Sequence, residues 1–114
     1  MSSTDTGHKA ERAAATYLEM RGYKIIERNW RRPAAEIDIV AEKDGVVHFV
    51  EVRYRATNAQ GGGLESITPS KLRRMQRGAE LWVFELKWPG EYVLSAIELA
   101  GPTFAIMNFV ENIF

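Results

Sequence analysis

Apolar and polar positions alternate most sharply between Glu36 and Arg53, in the run EIDIVAEKDGVVHFVEVR. The alternation lies on either side of Asp44-Gly45, a dipeptide suited to the tight turn of an antiparallel hairpin. With Asp44 and Gly45 as the central turn residues, the register follows by counting outward: Asp38 falls opposite Glu51, and Glu36 opposite Arg53. Strand alternation then sends Glu36, Asp38, Val40, Phe49, Glu51 and Arg53 to one face. Ile37, Ile39, Ala41, Val50 and Val52 line the other, which reads as a core face.

Helical spacing occurs twice. Ala10, Ala13, Ala14, Tyr17 and Leu18 form one stripe from about Thr6 to Met20, and Gly22 ends that helix. Thr68 and Pro69 supply the cap and first turn of a second helix, with Leu72, Met75, Ala79, Trp82, Val83 and Leu86 as its buried stripe. Arg73, Arg74 and Arg77 fall on its outer face and Lys71 at the rim of its first turn. Tyr23 to Asn29 reads as a strand centred on Ile25 and Ile26, followed by Trp30-Arg31-Arg32 and a stop at Pro33. Glu91 to Leu99 and Thr103 to Val110 read as two late strands around Gly101-Pro102. The expected fold class is α/β, a central mixed sheet of about five strands flanked by helices, built by one domain over residues 1–114.

Charge and composition narrow the chemistry. Fifteen basic and fifteen acidic residues cancel, so any nucleic-acid affinity must come from local patches rather than from a globally basic chain. The absence of cysteine removes disulfides, thiolate zinc sites and thiol nucleophiles, and two histidines make no histidine-rich metal site. Oxygen ligands remain. MSSTDTG has no apolar core of a signal peptide, and Leu99 to Val110 is too short to span a bilayer, so the expectation is a cytoplasmic protein without a membrane partner.

Within the hairpin, Asp38 and Glu51 form a carboxylate pair with Cβ atoms about 5 Å apart, destabilising unless a cation lies between them. A divalent metal ion would serve. A solvated hairpin face also displays charges, but Val40, Val47 and Phe49 share this one and argue for partial cover. Glu11 sits at the edge of the first helix's apolar stripe, either solvated or leaning towards whatever the helix packs against. Arg28, Arg31 and Arg32 beside Trp30 suit phosphate contact and base stacking, or else form a soluble loop with Trp30 in the core. Lys71 is placed to reach a phosphate, and Arg55 and Arg74 are further candidates for nucleic-acid contact. The glycine-rich stretch Ala56 to Gly63 reads as a mobile loop, either a cover for a bound duplex or an idle connection. Phe104, Ile106, Phe109 and Phe114 read either as core or as an edge for a homodimer.

An acid followed by Glu-x-Lys on the next strand, here Asp38 and then Glu51-Val52-Arg53, resembles the signature of the PD-(D/E)XK nuclease superfamily. The longer segments GHKAERAAATYLEMRGYKIIERNWR, AAEIDIVAEKDGVVHFVEVRYR and ITPSKLRRMQRGAELWV are similar to the YraN-like family of small bacterial proteins, over nearly the whole chain. The resemblance implies a restriction-endonuclease-like fold related to Holliday-junction resolvases, and a nucleic-acid partner, DNA foremost. It implies Mg²⁺ held by Asp38 and Glu51, Arg53 as electrostatic stabiliser, and Glu11, from the matching Ala10-Glu11 pair, approaching the metal site. Three positions depart from the family pattern: Arg53 replaces the usual lysine, Ala35 the usual glycine, and EYVLSAI lacks the usual Arg-Phe-Asp. Guanidinium cannot act as a general base, though it stabilises charge. Two main functional classes stand open, an endonuclease for branched or structured DNA and a catalytically inactive nucleic-acid-binding or assembly module on the same scaffold.

Overall fold

The computed structural model describes residues 3–56 and 67–113. The chain forms α1 (Ser3–Met20), β1 (Lys24–Arg32), β2 (Ala35–Lys43), β3 (Val46–Arg55), α2 (Pro69–Leu86), β4 (Glu91–Ala100) and β5 (Ala105–Val110). This is the expected α/β class, with five strands in the order β1-β2-β3-β4-β5, consistent with a restriction-endonuclease-like fold. β3 and β4 run parallel while the other neighbours are antiparallel. Parallel neighbours need a crossover, and α2 supplies it between β3 and β4.

The hairpin turn is as counted. Asp44 (φ 53°) and Gly45 (φ 80°) both take positive φ, as a tight I′-type turn requires, and pairing proceeds from Lys43/Val46 to Ile39/Val50. Thr68 caps α2, its hydroxyl accepting from the Lys71 N–H at 3.2 Å, with Pro69 in the first turn.

Each face of the sheet is covered by one helix. On the α2 side Trp30, Ile37, Val40, Val47 and Phe49 pack with Met75, Ala79 and Trp82; on the α1 side Ala14 and Leu18 pack with Ile39, Ala41, Val50, Ile97 and Leu99. Val40, Val47 and Phe49 are fully buried, so the carboxylate-bearing face is covered along much of its length. Gly78 lets α2 approach β2: a Cβ there would lie 2.9 Å from Ile37 Cδ1.

Several expectations are corrected. Ile37 packs on the α2 side although Ile39, two residues on, packs on the α1 side, so strict alternation fails at Asp38. Trp30, Arg31 and Arg32 belong to β1 rather than to a following loop. Of the two readings open for Trp30 the core one holds: it is only 2% exposed and packs in the core, so it offers no stacking platform. A bulge between Ile25 and Glu27 leaves Ile26 exposed. Leu86, expected in the buried stripe, is exposed at the end of α2. Phe104, Ile106 and Phe109 are half-buried against the α1-side core, while Phe114 lies outside the described residues, as does most of the glycine-rich loop. Among the described residues no helix is long and apolar enough to cross a membrane.

Candidate functional site

The site lies at a fork in the sheet. β3 pairs with β4 along its whole length, from Val46/Glu91 to Arg55/Ala100, but with β2 only as far as Val50. β2 is paired with β1 along nearly its whole length, from Lys24/Glu42 to Arg32/Ala35, so its first half has β1 as its one sheet neighbour. Beyond Ile39/Val50 the two hairpin strands part, and Asp38 and Glu51 are the next residue on each. The Asp38 carboxylate bends into the fork and accepts the Val52 N–H at 2.8 Å. That bond replaces a ladder partner that β2 no longer supplies. It also explains why alternation breaks at this residue.

The two carboxyl groups interact directly across the fork. Burial first, and the charge of Glu51 second, push the Asp38 carboxyl up to about 8; Glu11 adds to the rise, and the Val52 N–H opposes it. Two acids held this close cannot both be ionised without compensation. Two cations approach Glu51. Arg53 Nη1 lies 3.4 Å and Lys71 Nζ 3.8 Å from Glu51 Oε2, the first from β3 and the second from the first turn of α2.

Glu11 comes to the same place from α1. It lines a cavity of about 440 Å³ together with Thr6, Gly7, Ala10, Asp38, Val52 and Tyr54, and its Oε1 is buried without a hydrogen-bond partner. On the opposite side of the sheet lies a cleft of about 500 Å³, which shares Asp38 and Val52 with that cavity and is also lined by Glu51, Lys71 and Arg74. Asp38 thus faces both openings.

The cations named from the sequence are not equivalent. Arg74 is exposed at the mouth of the cleft, and Arg31 stands beside it in a solvent-exposed pair with Glu36 at 3.6 Å, an arrangement of small net energy. That pair corrects the expected Glu36–Arg53 partnership. Arg32 also lines the cleft, but its guanidinium is held by Glu85 at 2.7 Å and lies 4.6 Å over the Trp30 ring. Arg55 pairs with Glu98 at 3.6 Å, and Glu98 is the register partner of Arg53. Sequence reasoning overlooked Glu98. Its signal was a single carboxylate at the end of the otherwise apolar run YVLSAIELA.

Among the described residues no group of three or more His, Cys, Asp or Glu side chains closes into a ready-made metal cage. The fork does fit a hard cation in another way. It presents two adjacent carboxyl groups that oppose each other's ionisation, and a third buried carboxylate oxygen without a hydrogen-bond partner nearby. Asp38 and Glu51 are the pair that could hold such an ion, with water filling the remaining positions, as suits Mg²⁺.

Comparison with known proteins agrees with the YraN-like resemblance. A UPF0102 protein of Wolinella succinogenes is 40% identical over 107 residues, covering 94% of both chains. One from Cytophaga hutchinsonii is 35% identical over 101 residues and 89% of both chains. Another, from a Sulfurihydrogenibium species, is 41% identical over 102 residues and 89% of both. The family model matches residues 10–106, a span that takes in Glu11, the fork and all of α2, and the chain belongs to the uncharacterised protein family UPF0102.

Proposed function

We propose that this protein binds nucleic acid in the Arg31–Arg74 cleft and is a Mg²⁺-dependent endonuclease of PD-(D/E)XK descent, acting on branched or otherwise structured DNA. The observation that carries the reading is the carboxylate pair at the fork, held together against its own repulsion at the floor of a cleft with basic side chains at its rim. A protein stores such a conflict where the site has a use for it.

Each residue has a role in this reading. Asp38 and Glu51 would hold the ion, with the Val52 N–H fixing the Asp38 rotamer. When bound, Mg²⁺ polarises a phosphoryl oxygen and makes water a better nucleophile. Arg53 stabilises charge that develops on the phosphate. Arg31 and Arg74 contact flanking phosphates, which positions the strand without reading its sequence. The carboxylates of Glu36 and Glu85 temper the basic rim, in keeping with a neutral chain.

Fluorescence anisotropy with four-way-junction and plain duplex DNA, across a salt series, tests binding. Affinity should fall linearly on a logarithmic salt axis, and Arg74→Ala should reduce the slope by about one. Cleavage of the same junctions with Mg²⁺, lost in Asp38→Asn and Glu51→Gln, tests the chemistry. Binding without Mg²⁺-dependent cleavage would leave a nucleic-acid-binding module; no salt-dependent binding would sink the reading altogether.

A further inference from the structure

α2 forms one wall of the cleft, through Lys71, Arg74 and Met75. The far side of that wall carries a second basic surface. Met75 is buried against the sheet, and at 3.6 residues per turn Arg73, Arg77 and Phe84 all fall within about 20° of the direction opposite it. All three are exposed, Phe84 at 81%. Arg74 stands between the two faces, at the rim of the cleft.

This outer face differs from an ordinary solvated one, in which charges of both signs mix. Lys71, Arg73, Arg74 and Arg77 all precede Glu80, the first acid of α2, and the first turn holds no acid although one would be favoured there. Arg73 and Arg77 are four residues apart and Arg74 and Arg77 three, spacings at which like charges repel. Among the described residues none of Arg73, Arg74 and Arg77 is in an ion pair, whereas Arg31, Arg32, Arg53 and Arg55 each have a carboxylate partner. Positive potential therefore concentrates on the outer face of a chain without net charge, and a polyanion would relieve it. Phe84 continues the same line about 16 Å along the axis from Arg73. Cations followed by an exposed ring suit backbone contact combined with stacking on an unpaired base.

We infer that α2 is a wedge between two diverging segments of one nucleic acid. The cleft takes one arm, Arg73 and Arg77 hold phosphates of the other, and Phe84 stacks on an unpaired base where the arms part. The inference rests on the nucleic-acid reading and deepens it, because it assigns preference for branched over linear DNA to a face outside the fork. A helix about 10–12 Å across separates the two contacts, so a straight duplex seated in the cleft leaves the outer face empty. These residues select the substrate and take no part in the chemistry.

The test measures wild type, the double variant Arg73→Gln/Arg77→Gln, Phe84→Ala and Arg74→Ala by fluorescence anisotropy. The probes are a plain duplex and a four-way junction with unpaired bases at its branch, each across a salt series. The double variant should lower the logarithmic salt slope by about two on the junction and leave the duplex slope unchanged, whereas Arg74→Ala should lower both by about one. Phe84→Ala should weaken junction binding about tenfold without changing duplex affinity. At low salt the double variant should melt at or above the Tm of wild type, since like-charge repulsion is removed. If it loses duplex and junction binding in equal measure, the outer face is an extension of the cleft, and the inference falls while the nucleic-acid reading stands. Unchanged binding to both probes, a lowered Tm, or equal wild-type affinity for junction and duplex also overturns it. A wild type that binds neither probe overturns the nucleic-acid reading itself.

Discussion

Replacing Asp38 by asparagine should make the protein more stable while destroying its proposed metal site. The carboxyl lies about four pH units above its ordinary value, driven first by burial and then by Glu51. At 1.36 kcal/mol per unit, about 6 kcal/mol is the ceiling on the cost of ionising it in the fold. Asparagine removes that cost, and its carbonyl oxygen can still accept the Val52 N–H that Asp38 accepts at 2.8 Å. Part of the cost is shared with Glu51 and part is relieved by relaxation, which brings the expected gain to about 2 kcal/mol at pH 8, or roughly 8 °C in Tm for a domain of this size. The pH dependence is specific. A group whose folded pKa is raised contributes stability that is complete below its unfolded value, 3.8, and is lost as pH rises through about 8. Wild type should therefore lose stability across that interval relative to Asp38→Asn, so the advantage of the variant is small near pH 4.5 and full at pH 8. Urea denaturation of both proteins at a series of pH values measures it. A variant no more stable than wild type at pH 8, or an advantage that does not shrink towards pH 4.5, would refute the electrostatic account of the fork.

Three other experiments probe the scaffold. The His48 pKa is lowered by burial and then by Lys43, so its contribution is present above the ordinary histidine value and lost as pH falls through the depressed one; His48→Gln should flatten the decline of stability below about pH 6.5, seen as a Tm that no longer drops as steeply on acidification. Gly78→Ala should cost about 1–2 kcal/mol through its clash with Ile37, and Ile37→Val, which removes Cδ1, should recover part of it in a double-mutant cycle of urea midpoints. Thr68→Ala should cost about 1 kcal/mol by uncapping α2, and should also weaken the Lys71–Glu51 approach, observable as a shift of the Lys71 amine resonance.

The hairpin was legible because its determinants are local. Asp44-Gly45 fixes the turn, the turn fixes the register, and counting outward holds through Ile39/Val50. Thr68-Pro69 likewise marks the start of α2 within a single turn of chain. What counting could not reveal is that the strands part at the residue where the carboxylates begin. Alternation assumes continued pairing on both edges, and β2 loses β3 just there while it stays paired with β1, and Ile37 and Ile39 end on opposite faces. The Arg32–Glu85 pair joins positions far apart in sequence, and nothing near Arg32 announces it. For Trp30, the neighbouring arginines left two readings open, stacking platform or core residue, since an aromatic between charges carries no period of its own; burial decides for the core. The meeting of Glu11, Asp38 and Lys71 depends on where two helices cross the sheet, which local pattern does not encode.

The central claim is that Asp38 and Glu51 together hold a divalent cation, and a calorimetric Mg²⁺ titration of wild type, Asp38→Asn and Glu51→Gln, with and without junction DNA, tests it most directly. The account predicts saturable binding that strengthens as pH rises towards and past about 8, as the Asp38 carboxyl gives up its proton, and that both substitutions abolish. Saturable binding that survives in both variants, or its absence from wild type at pH 8.5 even with DNA present, would contradict it.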